Sequence, residues 1–169
     1  AIGQTTALSS LVVTGAGAGA GTDSGVILGS DARTSGEMNI DLANGGLILT
    51  NDVTLESTGG EIRLEEVHGR NAGNTADANQ DLTVTGGGNI LFGTGSGQVN
   101  NFLGNVTLSA VGSIDTGHGF NITNDLSATA NTDDIIVQNA LIAGGSIALT
   151  IAAGGNVQLQ DNLTAGTGV

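Results

Sequence analysis

The densest group of ionisable side chains in this sequence falls between residues 61 and 70. Its members are Glu61, Arg63, Glu65, Glu66, His68 and Arg70. Alternate residues of a strand point to the same side, so Glu61, Arg63 and Glu65 are predicted to share an outer face. A glycosidase needs two carboxyl groups in a cleft, one as general acid and the other as base or nucleophile. The simpler interpretation is a set of exposed ion pairs, each contributing about 0–1 kcal/mol.

Four aspartates are candidate calcium ligands, because Ca²⁺ prefers carboxylate and carbonyl oxygens. They are Asp23, Asp31, Asp133 and Asp134. The segment GAGTDSGVI at 19–27 has the Gly and Asp spacing of the calcium-binding nonapeptide. That motif binds ions between successive copies, and it occurs once here. The same aspartates fit solvated turns, so we predict no cofactor and keep Ca²⁺ as the alternative.

The glycine-rich segment and the histidines lack a complete motif for other chemistry. GAGAGAGTD at 15–23 precedes no helical pattern, and the chain has no Lys, which argues against dinucleotide and phosphate loops. His118 stands between two glycines and is expected to be an exposed corner residue. It has no neighbours in sequence for metal binding or nucleophilic catalysis. We therefore predict no catalytic residue and no enzyme activity.

Composition narrows the classes of function further. The chain has 169 residues with 30 Gly, no Pro, no Cys and no Trp, and its formal net charge is -13. Nucleic acids and anionic membranes attract Lys and Arg, so this charge argues against both as partners. No apolar run reaches the roughly 18 residues of a membrane span. Phe is the only aromatic residue, so the core must consist mainly of Val, Ile, Leu and Ala.

A short phrase recurs along the chain: an alternating apolar strand, a glycine-rich corner and a second alternating strand. It reads VTLESTGGEIRL at 53–64, LTVTGGGNILF at 82–92, VTLSAVGSID at 106–115 and IALTIAAGGNVQL at 147–159. The last three lines, 106–125, 126–145 and 146–166, have nearly equal lengths. Such a short repeat cannot bury its own apolar side, so successive lines must stack as coils of three strands. Phe102 and Phe120 are expected to stack inside the coils, with Phe92 on another wall.

Polar residues recur just before the first strand of each line. They are Asp52, Asp81, Asn105 and Asp125, followed by Gly145 in the last line. Stacked coils would place these side chains in a ladder at one corner, where Asp and Asn cap turns. A sandwich of antiparallel hairpins, with a turn at 43–46, is the competing fold. It explains neither the constant spacing nor this recurrence.

We therefore predict an all-β fold, a parallel β-helix (β-solenoid) in one domain over residues 1–169. Each coil has about 20 residues and three short strands. Residues 1–36 are predicted to form irregular first coils and 106–166 three regular ones. Residues 67–80 are predicted to form a loop that leaves the coil outline.

Three phrases carry a resemblance to a known group of proteins. VTLSAVGSID, GGNILFGTGSG and SIALTIAAGGNVQLQ resemble sequences of filamentous-haemagglutinin-like exoproteins and of autotransporter passenger domains from bacteria. The resemblance covers most of residues 38–166. It implies a right-handed parallel β-helix that is secreted or held at the cell surface. It also implies a role in adhesion, biofilm formation or contact between cells.

The predicted function is structural and adhesive, as a shaft or filament subunit on the bacterial surface. Expected partners are a second copy paired end to end or flanking coils of a longer chain. Host surfaces or glycans are expected to bind the insertions at 67–80 and 93–101. The alternatives are a carbohydrate-active enzyme and a calcium- or ice-binding solenoid. Ice binding requires Thr-x-Thr on one side of every coil, and we expect the lines 126–145 and 146–166 to lose that register.

Overall fold

The computed structural model describes residues 2, 6–15, 25–42, 45–93 and 99–168. These residues form nineteen strands and no helix. The described part of the chain therefore has no helix that could cross a membrane. The strands pair in parallel with strands about one coil away along the chain, which makes a β-solenoid of about six turns. The predicted fold class, an all-β parallel β-helix, is confirmed.

The strands line up in three faces that each coil visits in turn. Face 1 comprises β3 (Ala32–Thr34), β6 (Val53–Ser57), β9 (Gln80–Gly86), the second half of β11 (Val99–Ala110), β14 (Leu126–Ala130) and β17 (Ile147–Ile151). Face 2 comprises β1 (Leu11–Gly15), β4 (Met38–Leu42), β7 (Ile62–Leu64), β10 (Ile90–Phe92), β12 (Ile114–Thr116), β15 (Ile135–Val137) and β18 (Val157–Leu159). Face 3 comprises β2 (Gly25–Leu28), β5 (Gly46–Leu49), β8 (Glu66–Gly69), the first half of β11, β13 (Gly119–Ile122), β16 (Leu141–Ala143) and β19 (Leu163–Ala165).

Alternation along each strand sends every second side chain into the core. On face 2, the register stacks four isoleucines in one column, and all four are fully buried. They are Ile62, Ile90, Ile114 and Ile135. Burying each such side chain contributes about 1.5–3 kcal/mol, and β-branched residues suit strand backbone. Because each column is filled by several coils together, one coil cannot form the core alone.

Glycines mark the corners because neighbouring coils come very close there. At the corner between faces 1 and 2, a Cβ atom on Gly60 would overlap the carbonyl carbon of Gly36. No side chain fits at such a close approach. The glycine-rich phrase between the two alternating strands is thus a steric requirement of coil stacking.

The loop predicted at 67–80 is shorter than expected. Residues 66–69 form β8, and Val67 is fully buried in the core. Residue 80 opens β9, so the segment that leaves the coil outline is 70–79. The predicted start of the loop at residue 67 was wrong. Three successive residues of β8 are buried, so the strand does not show the usual alternation of buried and exposed residues. The second predicted insertion, 93–101, is also shorter, since β11 begins at Val99, and residues 94–98 lie outside the described part.

The antiparallel alternative and the expected stack of Phe102 on Phe120 are both wrong. β4 and β5, which flank the proposed hairpin turn, belong to different faces and pair with other coils. A register shift between Asn101 and Leu103 turns Phe102 outward, with φ of 54° and 40% exposure. Phe120 instead meets Phe92 inside the core, edge to face, with ring centroids 4.8 Å apart.

Candidate functional site

The residues predicted as a corner ladder lie at the corner between faces 3 and 1, and hydrogen bonds join them from coil to coil. The Asp52 carboxylate accepts a hydrogen bond from the backbone N–H of Asp81 at 2.9 Å. The Asp81 carboxylate accepts one from the N–H of Asn105 at 2.7 Å. The Asn105 side-chain oxygen accepts one from the N–H of Asp125 at 3.4 Å. Each ladder side chain thus accepts a hydrogen bond from a backbone N–H group of the next coil. Without this bond, that N–H group would have no partner in the turn.

The ladder continues to Ser146 rather than to Gly145. The register aligns Leu126 with Ile147, so Ser146 is the residue equivalent to Asp125. The Asp125 carboxylate accepts hydrogen bonds from the backbone N–H of Ser146 at 2.7 Å and from its hydroxyl at 3.0 Å. These bonds lower the pKa of Asp125, since they favour the charged carboxylate.

A second ladder, which the sequence analysis missed, lies at the corner between faces 1 and 2. The Asn89 side-chain oxygen accepts from the N–H of Ser113 at 3.0 Å. Two coils after Asn89, at the equivalent position, the Asp134 carboxylate accepts from the N–H of Asn156 at 2.7 Å. The available signal was a polar residue directly before the β-branched residue that opens each second strand.

The ionisable cluster at 61–70 is divided between two faces. Arg63, on face 2, reaches Glu61 with a nitrogen–oxygen distance of 3.4 Å. Glu65 occupies the corner between faces 2 and 3. His68 and Arg70 lie beyond that corner, on face 3 and at its end. The predicted shared outer face therefore holds only the first part of the cluster.

His118 is fully buried beside Glu65, which corrects the expectation of an exposed histidine. Its Nδ1 lies 2.9 Å from the Glu65 carbonyl oxygen and carries the hydrogen, because a carbonyl can only accept. Its Nε2 lies 3.8 Å from the Glu65 carboxylate. A Cβ atom on Gly93 would collide with both side chains, so this glycine leaves the space that the ring fills.

The Glu65 carboxyl group has an altered acidity. Its burial raises its pKa, and the nearby Asp41 carboxylate raises it further. His118 and Arg63 oppose this shift through their positive potential. A carboxyl group with a raised pKa next to a second carboxylate is the arrangement that acid–base catalysis uses.

The segment 70–79 is attached to face 3 through His68. The alternation of β8 points His68 outward, yet it is 3% exposed. Its Nε2 lies 3.4 Å from the Asp77 carboxylate, and Arg70 Nε lies 3.4 Å from the same oxygen. Its ring also meets Phe102 edge to face at 4.9 Å. The insertion thus covers part of the outer side of face 3.

Carboxylates predicted as calcium ligands accept hydrogen bonds from backbone N–H groups. Asp31 accepts from the N–H of Thr54 at 2.8 Å, and Asp133 from the N–H of Asp134 at 3.0 Å. Asp23 lies outside the described residues. Within the ranges that the structure describes, no group of three or more His, Cys, Asp or Glu residues could hold a metal ion. Calcium binding stays a prediction.

The last coil leaves the apolar core open at one end. In the preceding coil, Ile135 and Val137 of β15 are completely buried. Their register partners in β18, Val157 and Leu159, are 41% and 52% exposed. Leu163 of β19 is only partly buried. The inward side chains of this coil therefore form an apolar surface on which a further coil would fit.

No model of a known protein family matches the chain, and no curated protein or solved structure matches it either. The class of protein is therefore defined by the architecture alone: a parallel β-solenoid whose corners are joined by polar ladders. The resemblance to filamentous-haemagglutinin-like exoproteins stays a prediction.

Proposed function

We propose that this chain is a structural segment of a secreted or cell-surface bacterial solenoid that serves in adhesion. The observation that carries the proposal is the open apolar end at β17, β18 and β19. In this proposal the solenoid lengthens by parallel pairing of a further coil on that end. The further coil belongs to the same kind of chain, either as a flanking coil or as the first coil of a second copy.

The chemistry of the final coil favours this pairing. Covering Val157 and Leu159 would contribute about 1.5–3 kcal/mol for each side chain that becomes fully buried. The strand edge also presents backbone donors and acceptors that a parallel strand can satisfy. Asp161 is the only charged residue between 146 and 168, so little repulsion opposes a second copy. At the opposite end, Ile2 and Leu8 are 41% and 37% exposed and offer a second apolar surface.

The test is electron microscopy of the purified chain together with its mass by sedimentation velocity. We expect unbranched fibres whose mass grows with concentration. Leu159→Asp should remain at the monomer mass, because it places a charge in the pairing surface. Ile142→Asp is the matched control, since Ile142 is 44% exposed on the outer side of face 3. Monodisperse rods of 16.5 kDa from the unaltered chain would exclude assembly of separate copies and leave the shaft with flanking coils.

A carbohydrate-active enzyme is the second candidate function, and the Glu65 site favours it. Glu65 has a raised pKa and lies near the Asp41 carboxylate and the buried His118. A reducing-end assay on neutral and acidic polysaccharides tests this candidate. Activity that Glu65→Gln abolishes and Glu61→Gln preserves would favour the enzyme over the structural role. No activity in the unaltered chain would reject it.

A further inference from the structure

The outer side of face 1 carries a regular grid of hydroxyl groups. In the five strands from β6 to β17, two outward positions per strand give ten positions, and eight hold Thr or Ser. One column contains Thr54, Thr83, Thr107 and Ser127, and the other contains Thr85, Ser109, Thr129 and Thr150. Glu56 and Ala148 fill the remaining two. As expected, neither of the last two lines has Thr-x-Thr, since they carry Ser127-x-Thr129 and Ala148-x-Thr150. The register nevertheless keeps a hydroxyl side chain at three of these four positions.

The grid is continuous because the five strands pair over five residues each without a break. Val53 aligns with Leu82, Leu82 with Val106, Val106 with Leu126, and Leu126 with Ile147. Parallel strands lie about 4.8 Å apart, and alternate residues of one strand lie about 6.7 Å apart. The hydroxyl-bearing residues therefore repeat at about 4.8 Å by 6.7 Å.

The hydroxyls of the grid have no hydrogen-bond partner in the described part of the chain. Among the described residues, none of the eight donates or accepts a side-chain hydrogen bond. Elsewhere the chain uses its hydroxyls internally: Thr34 and Ser57 donate to the Gly36 carbonyl at 2.8 and 2.6 Å, and Thr132 to that of Val111 at 2.6 Å. The grid side chains are exposed or half-buried, so their hydroxyls face solvent.

The other two faces have no comparable pattern. The outward column of face 2 contains Asn39, Arg63, Leu91, Asp115, Ile136 and Gln158. The outward column of face 3 mixes Ile, His, Asn and Thr. Face 1 is also uncharged from Thr83 to Thr150, in a chain of net charge -13. The hydroxyl grid is thus a property of one face and not of the composition.

We propose that this grid, from β6 to β17 on face 1, binds the surface of ice. A hydroxyl both donates and accepts hydrogen bonds, so it can replace a water molecule in a lattice. Tetrahedral hydrogen bonds of about 2.75 Å make water oxygens repeat at about 4.5 Å within a layer and about 7.3 Å across layers. Both repeats lie within roughly a tenth of those of the grid.

A periodic solid fits the grid better than a dissolved molecule does. A flexible glycan chain loses conformational freedom when it binds, whereas a crystal surface is already ordered. None of the ten outward positions of the grid holds an aromatic ring on which a sugar could stack. Phe92 and Phe120 are buried inside the coils, and the exposed Phe102 meets His68 of face 3. Single hydroxyl contacts contribute little, and binding must come from many simultaneous contacts at matching spacing.

The test measures how much protein enters a slowly growing ice hemisphere from a dilute solution. All variants carry Leu159→Asp, so that end-to-end assembly cannot alter the result. The test variant is Thr85→Lys with Thr107→Lys, at two exposed positions of the grid. The control is Asn121→Lys with Thr123→Lys, which makes the same change of charge outside the grid. Asn121 is an exposed residue of face 3, and Thr123 is an exposed residue directly after β13. Circular dichroism confirms folding of each variant.

We expect the chain with an intact grid to enter the ice and the control to match it. The grid variant should be incorporated about tenfold less, as expected when two contacts are lost and the spacing is broken. Exclusion of the intact grid from ice, or equal incorporation of both lysine variants, would overturn the proposal. Binding to insoluble cellulose or chitin that the grid variant loses, with no entry into ice, would also overturn it and assign the face to a polysaccharide.

Discussion

Glu65 shows how the fold alters the acidity of one side chain. Its pKa is raised in the folded chain, so ionisation of this group weakens the folded state relative to the unfolded one. The stability that the protonated form contributes is complete below the unfolded pKa near 4.5 and is lost as the pH rises through the folded pKa. Ionisation of Glu65 is therefore unfavourable to the fold, mainly because of its burial, and the electrostatic effects of His118 and Arg63 oppose this.

Glu65→Gln should consequently stabilise the chain at pH 7 and leave it unchanged at pH 3.5. We expect a gain of a few tenths of a kcal/mol in the free energy of unfolding, because the carboxylate keeps 22% exposure to solvent. Urea unfolding at both pH values measures the difference. Glu37→Gln, which makes the same substitution at an exposed position, is the control. A loss of stability at pH 7 would mean that the contact with His118 outweighs the cost of burial.

Asp125 provides the opposite case, in which hydrogen bonds lower the pKa of a carboxyl group. Its pKa lies below the usual value of 3.8 because Ser146 donates two hydrogen bonds to the carboxylate. The stability that these bonds contribute is present above pH 3.8 and is lost as the pH falls through the folded pKa. The ladder is thus an acid-sensitive link between the last two coils.

Asp125→Ala should speed hydrogen exchange of the Ser146 amide at neutral pH, since it removes that acceptor. Asp125→Asn keeps a side-chain oxygen and should restore part of the protection. NMR-detected exchange measures both. Asp133→Ala removes the same charge but only a bond to its neighbour Asp134, so it should leave Ser146 unchanged. Unaltered exchange in Asp125→Ala would show that the ladder does not hold the coil.

At the scale of elements, the coil and the insertion are separable. β8 pairs with β5 along its whole length and β9 pairs with β6 from Leu82 to Gly86, and neither pairing uses residues 70–79. The next coil makes the same corner with only Gly104 and Asn105 between its two pairing segments. The insertion is therefore an addition to a corner that two residues can close.

Deleting 70–79, so that Gln80 and Asp81 close the corner, should leave the solenoid folded and remove any partner that binds through this segment. The expected cost is local, because His68 loses its contact with Asp77. Circular dichroism and thermal unfolding measure the fold, and adhesion to cells or to a glycan array measures binding. Loss of the solenoid itself would show that the insertion is part of the core. Unchanged adhesion would reject the segment as a binding loop.

At the scale of the whole molecule, stability is expected to vary along the axis. Each coil contacts mainly its neighbours, so a solenoid behaves as a one-dimensional stack. The coils containing β10, β12 and β15 have neighbours on both sides and buried side chains throughout. The final coil has a neighbour on one side only, and all three residues of β18 are exposed.

Native-state hydrogen exchange should therefore show the greatest protection in β10 and β12 and the least in β18 and β19. The reason is that opening the last coil breaks one interface, whereas opening a central coil breaks two. Mass spectrometry of pulse-labelled peptides measures the gradient. Conditions that produce fibres should raise protection in β18 and β19, while Leu159→Asp should prevent this rise. Equal protection along the axis would contradict the one-dimensional description.

The sequence by itself determined the coil. Three local features of the sequence predict it: apolar and polar residues alternate, glycines stand at the corners, and the lines have a constant length. Each of these features is explained by the stacking of one coil on the next. The corner ladder through Asp52, Asp81, Asn105 and Asp125 was visible for the same reason, since its members stand at fixed positions in successive lines.

The tertiary structure decided everything that depends on the register between coils and on local departures from it. A shift beside Phe102 turned that ring outward, and the absence of a side chain at Gly93 made room to bury His118. Likewise, the hydroxyls of Thr85 and Thr107 become neighbours only when their strands are paired. Residues about 20 or more positions apart meet through the summed packing of whole coils, which no local pattern encodes.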